Sequence, residues 1–165
     1  MVNLIMQVID NYLDSASYNS IRSIFLSNII DWYWTEVLND GGQTHDFQFI
    51  HGIYTDGKPV SAYFEKLYPL LQKLKVAAII KIKANLNLPT KEIIEHGYHV
   101  DHPYLNAKTA IFYLNTCDGY TAFEDNQKVE SKENRIVIFN SSKKHTGTSV
   151  TNSNRRVVLN LNYFN

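Results

Sequence analysis

The chain has 165 residues, 44% of them hydrophobic, and 16 basic residues balance 16 acidic ones. That is enough apolar sequence for one domain with a sizeable core, and neither half is basic enough to grip nucleic acid electrostatically. No apolar run approaches the ~20 residues a membrane span needs, and Cys117, the only cysteine, excludes an internal disulfide and fits a reducing cytoplasm.

The N-terminus, Met1-Val2-Asn3-Leu4-Ile5-Met6, has no basic stretch and meets Asp10 early, so it is not expected to be a signal peptide. The first third reads as helical with breaks. Ser15 or Ser17 is placed to cap a helix carrying Ile21, Ile24, Phe25 and Ile29 at helical spacing. Asn39-Asp40-Gly41-Gly42 reads as a turn, and Phe47 to Tyr54 as a strand closed by Asp56-Gly57. Ser61 to Leu74 carries Phe64, Leu67, Leu70, Leu71 and Leu74 on one face, an amphipathic helix. In Ala78 to Leu86, Ile80, Ile82 and Ala84 alternate with Lys81, Lys83 and Asn85, which predicts a strand.

From Gly97 onward the pattern is β, with strands expected at about 98–101, 108–115, 120–124, 135–139, 145–149 and 155–164. Asp118-Gly119, Asp125-Asn126, Asn140-Ser141-Ser142 and Asn152-Ser153-Asn154 separate most of them. Helices first and short strands after give an α+β class, with the strands forming a sandwich or barrel; an eight-stranded jelly roll fits. The expected organisation is a single domain over 1–165, a helical buttress over roughly 1–75 and a β core over roughly 78–165.

The chemistry concentrates late in the chain. His99 and Asp101 lie two apart, so a strand points both the same way. His145 follows 44 residues after Asp101, and Arg156 eleven after that. Two imidazoles and a carboxylate form the facial triad that suits non-haem Fe(II) and leaves one face open for substrate and oxygen. A downstream arginine suits the far end of a dicarboxylate co-substrate, held bidentately in a dry pocket. Arg155 and Arg156 face opposite sides of a strand, and the alternation alone does not choose between them.

These residues carry a resemblance. His99-Val100-Asp101-His102-Pro103, Ile111-Phe112-Tyr113-Leu114-Asn115, Asp118-Gly119-Tyr120-Thr121-Ala122-Phe123, Asn134-Arg135-Ile136-Val137-Ile138-Phe139, His145 and Arg156 through Phe164 come in matching order and spacing. Over Tyr98–Phe164, about 40% of the chain, the sequence resembles the catalytic core of 2-oxoglutarate/Fe(II) oxygenases of the prolyl-hydroxylase type. The whole chain also resembles small oxygenases encoded by tailed bacteriophages, which implies a cytoplasmic protein, in the host if phage-encoded.

The resemblance implies a double-stranded β-helix with N-terminal supporting helices. It assigns His99, Asp101 and His145 to iron, and Arg156 with Tyr113 to the far carboxylate of 2-oxoglutarate. Thr121 would line that pocket, and Asn85 would reach the inner carboxylate. The implied reaction uses Fe(II), 2-oxoglutarate and O₂, with ascorbate as a candidate reductant, and hydroxylates an unidentified substrate with release of succinate and CO₂. Asp101, rather than a smaller residue, favours hydroxylation over halogenation. The chain departs from the pattern at Asp118, where a glycine is common, at Asn160, and in the long loop from Asn87 to His96.

The remaining candidates read as structural. His102 is expected at the surface or behind a ligand, His96 in a loop, with approach to the substrate as the lesser alternative, and His45 and His51 in structural roles. Lys143-Lys144 reads as a solvated pair and Cys117 as an inert thiol. Two other functions fit the triad: a Zn²⁺-dependent hydrolase and a non-catalytic ligand-binding barrel. Neither a membrane nor a nucleic acid is an expected partner.

Overall fold

A computed structural model describes residues 6–39, 42–104 and 106–165, with the backbone alone for 38–39 and 42–45. Strand β1 (Gln7–Ile9) is followed by helix α1 (Ser15–Phe25). The cap of α1 is neither Ser15 nor Ser17 but Asp14, whose carboxylate accepts the Ser17 N–H at 2.9 Å. A carboxylate also complements the positive end of the helix dipole, which a serine does not. Ile21, Ile24 and Phe25 are buried as expected. Ile29 lies beyond the helix and is 60% exposed, because the Ser27 hydroxyl takes the Ile24 carbonyl at 2.7 Å and the chain turns away.

Strands β2 (Tyr33–Asn39) and β3 (Gly42–Thr55) form a hairpin whose ends pair Asn39 with Gly42; Asp40 and Gly41 lie outside the described residues. The helical stretch expected over roughly 1–75 is therefore interrupted by strands. β2 went unread because it carries exposed Tyr33 and Trp34, which obscures the alternation of a half-buried strand. Asp56-Gly57 turns β3 into β4 (Lys58–Pro59) with both residues at positive φ, as a two-residue hairpin loop requires.

The amphipathic segment after Ser61 is shorter and split: a 3₁₀ turn over Phe64–Leu67, then α2 (Tyr68–Leu74). Pro69 is the cause. It has no N–H for the preceding turn and is tolerated only at a helix start. No helix among the described residues is long and apolar enough to cross a membrane.

Seven strands follow: β5 (Ala78–Asn87), β6 (Lys108–Tyr113), β7 (Tyr120–Phe123), β8 (Lys128–Glu130), β9 (Ile136–Asn140), β10 (His145–Gly147) and β11 (Arg156–Phe164). The large antiparallel sheet runs β1-β9-β6-β11-β5-β3-β2, with β4 beside β3; the small one runs β10-β7-β8. The segment 94–99 flanks β10. His99 and His145 exchange backbone hydrogen bonds at 3.0 Å each, and the Ser149 N–H reaches the Ile94 carbonyl at 3.0 Å. A strand over 98–101 is not present. Only His99 bridges, because Asp101 and His102 turn their N–H groups to the Ser141 carbonyl and Pro103 has none to give. The two sheets enclose one interior, a double-stranded β-helix in an α+β chain.

The outer face of the large sheet packs under the helices. Phe112, Leu159 and Leu161 meet Ile21, Phe25 and Leu70 there. Arg155 points to this side and donates to the Leu26 carbonyl at the end of α1 at 2.6 Å. A smaller cluster, including Ile111, Phe123, Phe139 and Val158, fills part of the space between the sheets.

Asn134 latches the N-terminal arm to this frame. Its amide accepts the Leu13 N–H and donates to the Leu13 carbonyl, both at 2.9 Å, and its own carbonyl accepts the Tyr12 N–H at 2.8 Å. It does so at φ 59°, a left-handed conformation that asparagine tolerates. Asn134→Ala is expected to lower the unfolding free energy by about 2–4 kcal/mol, from two stranded polar groups and the backbone strain. Asn134→Gly should recover about 1 kcal/mol of that, since it removes only the strain. Urea unfolding of the three proteins measures both steps.

Candidate active site

The backbone bridge between His99 and His145 sets their rings side by side, with centroids 4.8 Å apart. Asp101 follows two residues after His99, and its carboxylate faces both: His99 Nε2 lies 3.7 Å from Oδ1, and His145 Nε2 3.6 Å from Oδ2. One ligand atom from each of the three residues lies within 4.8 Å of the other two. The far ring nitrogens face carbonyls, His99 Nδ1 that of Gly97 at 3.2 Å and His145 Nδ1 that of Lys143 at 3.0 Å. A carbonyl only accepts, so in each neutral ring Nδ1 carries the proton and Nε2 offers its lone pair inward.

Three donors fix Asp101 through Oδ2: Thr109 Oγ1 at 2.9 Å, Asn162 Nδ2 at 3.0 Å and Asn160 Nδ2 at 3.3 Å. Burial pushes its pKa up, but His145, His99, Lys83 and the Thr109 hydroxyl together outweigh this, and it lies below the ordinary value. Burial lowers the pKa of His145 more than Asp101 raises it, so the ring is held neutral. Neutral imidazoles with an ionised carboxylate are the state a divalent metal binds.

Further along the same interior lies Arg156, 2% exposed. Nε donates to Ser131 Oγ at 2.7 Å, Nη2 to Thr121 Oγ1 at 3.2 Å and Nη1 to Asn87 Oδ1 at 3.4 Å. Among the described residues no carboxylate pairs with it. Burial pushes its pKa down, as expected of a cation without a counter-ion. Gly119 makes the room: a Cβ there would stand 2.6 Å from Arg156 Cδ. Tyr113, fully buried, backs the guanidinium with its ring 5.7 Å away and donates its hydroxyl to Thr121 Oγ1 at 2.8 Å.

A cleft enclosing about 520 Å³, its mouth included, connects the two ends. His99, His145 and Asn160 line one end, Arg156 and Thr121 the other, and Asn85 lies between. Asn85 donates to Gln48 Oε1 at 2.8 Å, while its own Oδ1 and that of Asn160 are buried without a partner among the described residues. Of the sequence-derived residues, His99, His145, Arg156, Thr121 and Asn85 line this one cleft, while Tyr113 stands behind Thr121 and Asp101 borders an adjoining cleft that His99 also lines. The supports of Arg156 and Asp101 were not read from sequence. Ser131 and Asn87 reach Arg156 only through pairings between distant segments. Thr109 had a legible signal, since it shares a strand side with Ile111 and Tyr113.

The other histidines separate. His96 enters the cleft wall, with Nδ1 3.4 Å from Asp46 Oδ2. His51 braces the Asp31 carbonyl and the Ser61 hydroxyl, each at 2.8 Å. His102 stacks on Tyr104, and the His45 side chain lies outside the described residues. Lys143 pairs with Asp125 at 2.7 Å and Lys144 with Glu124 at 3.4 Å. Cys117 is buried and free.

No protein-family model matches the chain, and no curated protein does. Solved structures do match in fold. A Burkholderia pseudomallei oxidoreductase of the 2OG-Fe(II) oxygenase family superposes with a TM-score of 0.67 at 11% identity, over 96% of this chain and 84% of that one. HygX from Streptomyces hygroscopicus, with nickel and 2-oxoglutarate bound, gives 0.63 at 12% identity over 96% and 82%. A Trichoplax adhaerens prolyl hydroxylase, in complex with a hypoxia inducible factor peptide fragment, gives 0.62 at 15% identity over 96% and 83%.

Calorimetric titration with Ni(II) under nitrogen is expected to show one site. Asp101→Ala and His145→Ala should each weaken it by about two orders of magnitude or more. Asn162→Ala, which only loosens the carboxylate, should cost about 10–100-fold. Wild-type affinity in both ligand variants would refute the triad.

Proposed function

We propose that this chain is an Fe(II)- and 2-oxoglutarate-dependent dioxygenase that hydroxylates a prolyl or other amino-acid substrate, releasing succinate and CO₂. The observation that carries the reading is the buried guanidinium of Arg156, with no anion beside it among the described residues, in the same cleft as the two histidines of the triad. A charge taken from water is costly unless it is paired. The distal carboxylate of 2-oxoglutarate is the missing partner.

The residues fit the groups the reading requires. His99, Asp101 and His145 hold the metal through two imidazole nitrogens and a carboxylate oxygen. Arg156 lies four residues before Asn160 on β11, about 13 Å of strand, and its side chain covers part of that span; a five-carbon dicarboxylate suits the remainder. Thr121 and Tyr113 add hydroxyl groups at the Arg156 end. The amide oxygens of Asn85 and Asn160 are polar ends left for what the cleft takes in. Fe(II), when bound, would supply the oxygen chemistry, with 2-oxoglutarate as the two-electron co-reductant of O₂ and ascorbate only keeping the metal ferrous. The protein supplies ligand geometry, charge neutralisation and exclusion of water. A hydrolase built on the same triad would leave Arg156 without a role. The lone buried Cys117 accords with a reducing, cytoplasmic setting.

Arg156→Ala should weaken 2-oxoglutarate binding by about two orders of magnitude or more. Tyr113→Phe should cost about 1–2 kcal/mol. Arg155→Ala should leave the affinity nearly unchanged, because that side chain serves α1. Anaerobic titration of the Fe(II) protein, followed by the visible charge-transfer band of the chelate, measures all three. Fe(II)-dependent succinate formation tests the reaction itself, and its absence from the wild-type protein would overturn the reading.

A further inference from the structure

Lys83 adds positive charge near Asp101 but makes no hydrogen bond to the triad or to Arg156. It sits on the inner face of β5, opposite Asn160 in the pairing with β11, while Lys81 stands opposite Asn162. Those two asparagines grip Asp101, so both lysines lie at the metal end of the interior, two strand pairs or more from Arg156 and Asn87. Lys83 lines the triad cleft and also a second, more open cleft on its far side. That second cleft is bounded by Lys81, His99, Asp101, His102 and Asn162, with Thr35 and Gln48 across from them. It gives access to the metal position from the side away from Arg156.

The Lys83 ammonium makes no hydrogen bond and no ion pair among the described residues. Glu36, exposed at the rim of the second cleft, pairs with neither lysine. The nearest formal opposite charge is Asp101, and a metal ion takes that charge for itself. With the site complete, the two charges of Fe(II) and those of 2-oxoglutarate cancel, and Asp101 offsets Arg156. Lys83 is then one positive charge in excess, enclosed beside the reacting centre. A half-buried ammonium in that position calls for one further anion.

We propose that Lys83 determines substrate specificity, and that the hydroxylated substrate carries a carboxylate close to the carbon that reacts. The proposal rests on the oxygenase reading of the same site. One enclosed ammonium matches the single charge of a carboxylate. No arginine borders the second cleft, whereas a phosphate ester, with about two charges and three acceptor oxygens, calls for a cluster of donors. The carboxylate comes either from a free amino acid or from an acidic side chain in a peptide. Lys81, exposed where it borders the second cleft, steers such an anion inward.

The test uses the full chain loaded with Ni(II) and 2-oxoglutarate, so that binding is read without turnover. The probes are the proteinogenic L-amino acids, their N-acetyl amides, end-blocked peptides with and without an internal Asp or Glu, and nucleoside monophosphates, followed by saturation-transfer NMR and calorimetry. A carboxylate probe should bind about 30-fold or more tightly than its amide. Lys83→Met should abolish that preference while leaving 2-oxoglutarate affinity near wild type, and Lys83→Arg should keep part of it. Free amino acids and acidic peptides identify the source by which of them binds. The proposal is overturned if amides or nucleotides bind as well as carboxylates, or if no probe binds. It is equally overturned if Lys83→Met weakens 2-oxoglutarate as Arg156→Ala does, which would make Lys83 a co-substrate ligand. Failure of the oxygenase reading registers separately, as wild-type protein that forms no Fe(II)-dependent succinate, because charge-selective binding is measured independently.

Discussion

β11 is buried on both faces, and its two-residue period divides the molecule. Val157, Leu159, Leu161 and Tyr163 face the helices, while Arg156, Val158, Asn160 and Asn162 face the space between the sheets. The outer set supplies the apolar contacts that hold α1 and α2 in place. The inner set supplies the polar groups of the site. A shift of one residue in the pairing of β11 with β5 and β6 would exchange the two, burying a guanidinium and two amides under the helices. The register is therefore enforced by the cost of the alternative as much as by the contacts made, and the precision of the cleft derives from it.

Within the interior, opposite charges are kept apart. Asp101 takes three neutral donors on Oδ2 and Arg156 three neutral acceptors, and on the inner face of β11 Val158 separates Arg156 from Asn160, which holds Asp101. Neither serves as the other's counter-ion. A fold selected for stability alone would pair such charges or replace both with apolar side chains, which is often neutral or stabilising. Holding them separate keeps each available to a ligand, and neighbours that contribute dipoles rather than charge make this tolerable. Sites where local rules of stability are broken in this way are where function is expected.

The same alternation explains what the sequence disclosed. β5 was legible because it alternates, and β6, β9 and β11 because each is a run rich in β-branched and aromatic residues; helices followed by a later β region pointed to the jelly roll. The triad was legible because a strand period places His99 and Asp101 together, even though the backbone there makes only one bridge. β2 was not legible, because an exposed edge strand with aromatic side chains lacks a clear period. Pro69 cut a convincing helical face in half. Ser131 and Asn87 were invisible as supports because they lie 25 and 69 residues from Arg156, and local patterns carry no such information. The Tyr113 hydroxyl donates to Thr121 Oγ1 beside Arg156, a placement that depends on the pairing of two strands and that its own segment does not reveal.

β11 comes last among the eleven strands in chain order, yet it lies in the middle of the large sheet, between β5 and β6. Until it inserts, β5 and β6 each present an open edge, and the outer apolar face is split by a gap one strand wide. The large sheet therefore cannot be completed progressively as the chain is synthesised. The earlier strands must wait, with their edges able to pair with other chains. Closing that gap joins segments far apart in sequence, which places the fold among the slow, high-contact-order topologies. Assembly of the cleft and completion of the sheet are then one kinetic event, because the strand that seals the core also carries Arg156 into place.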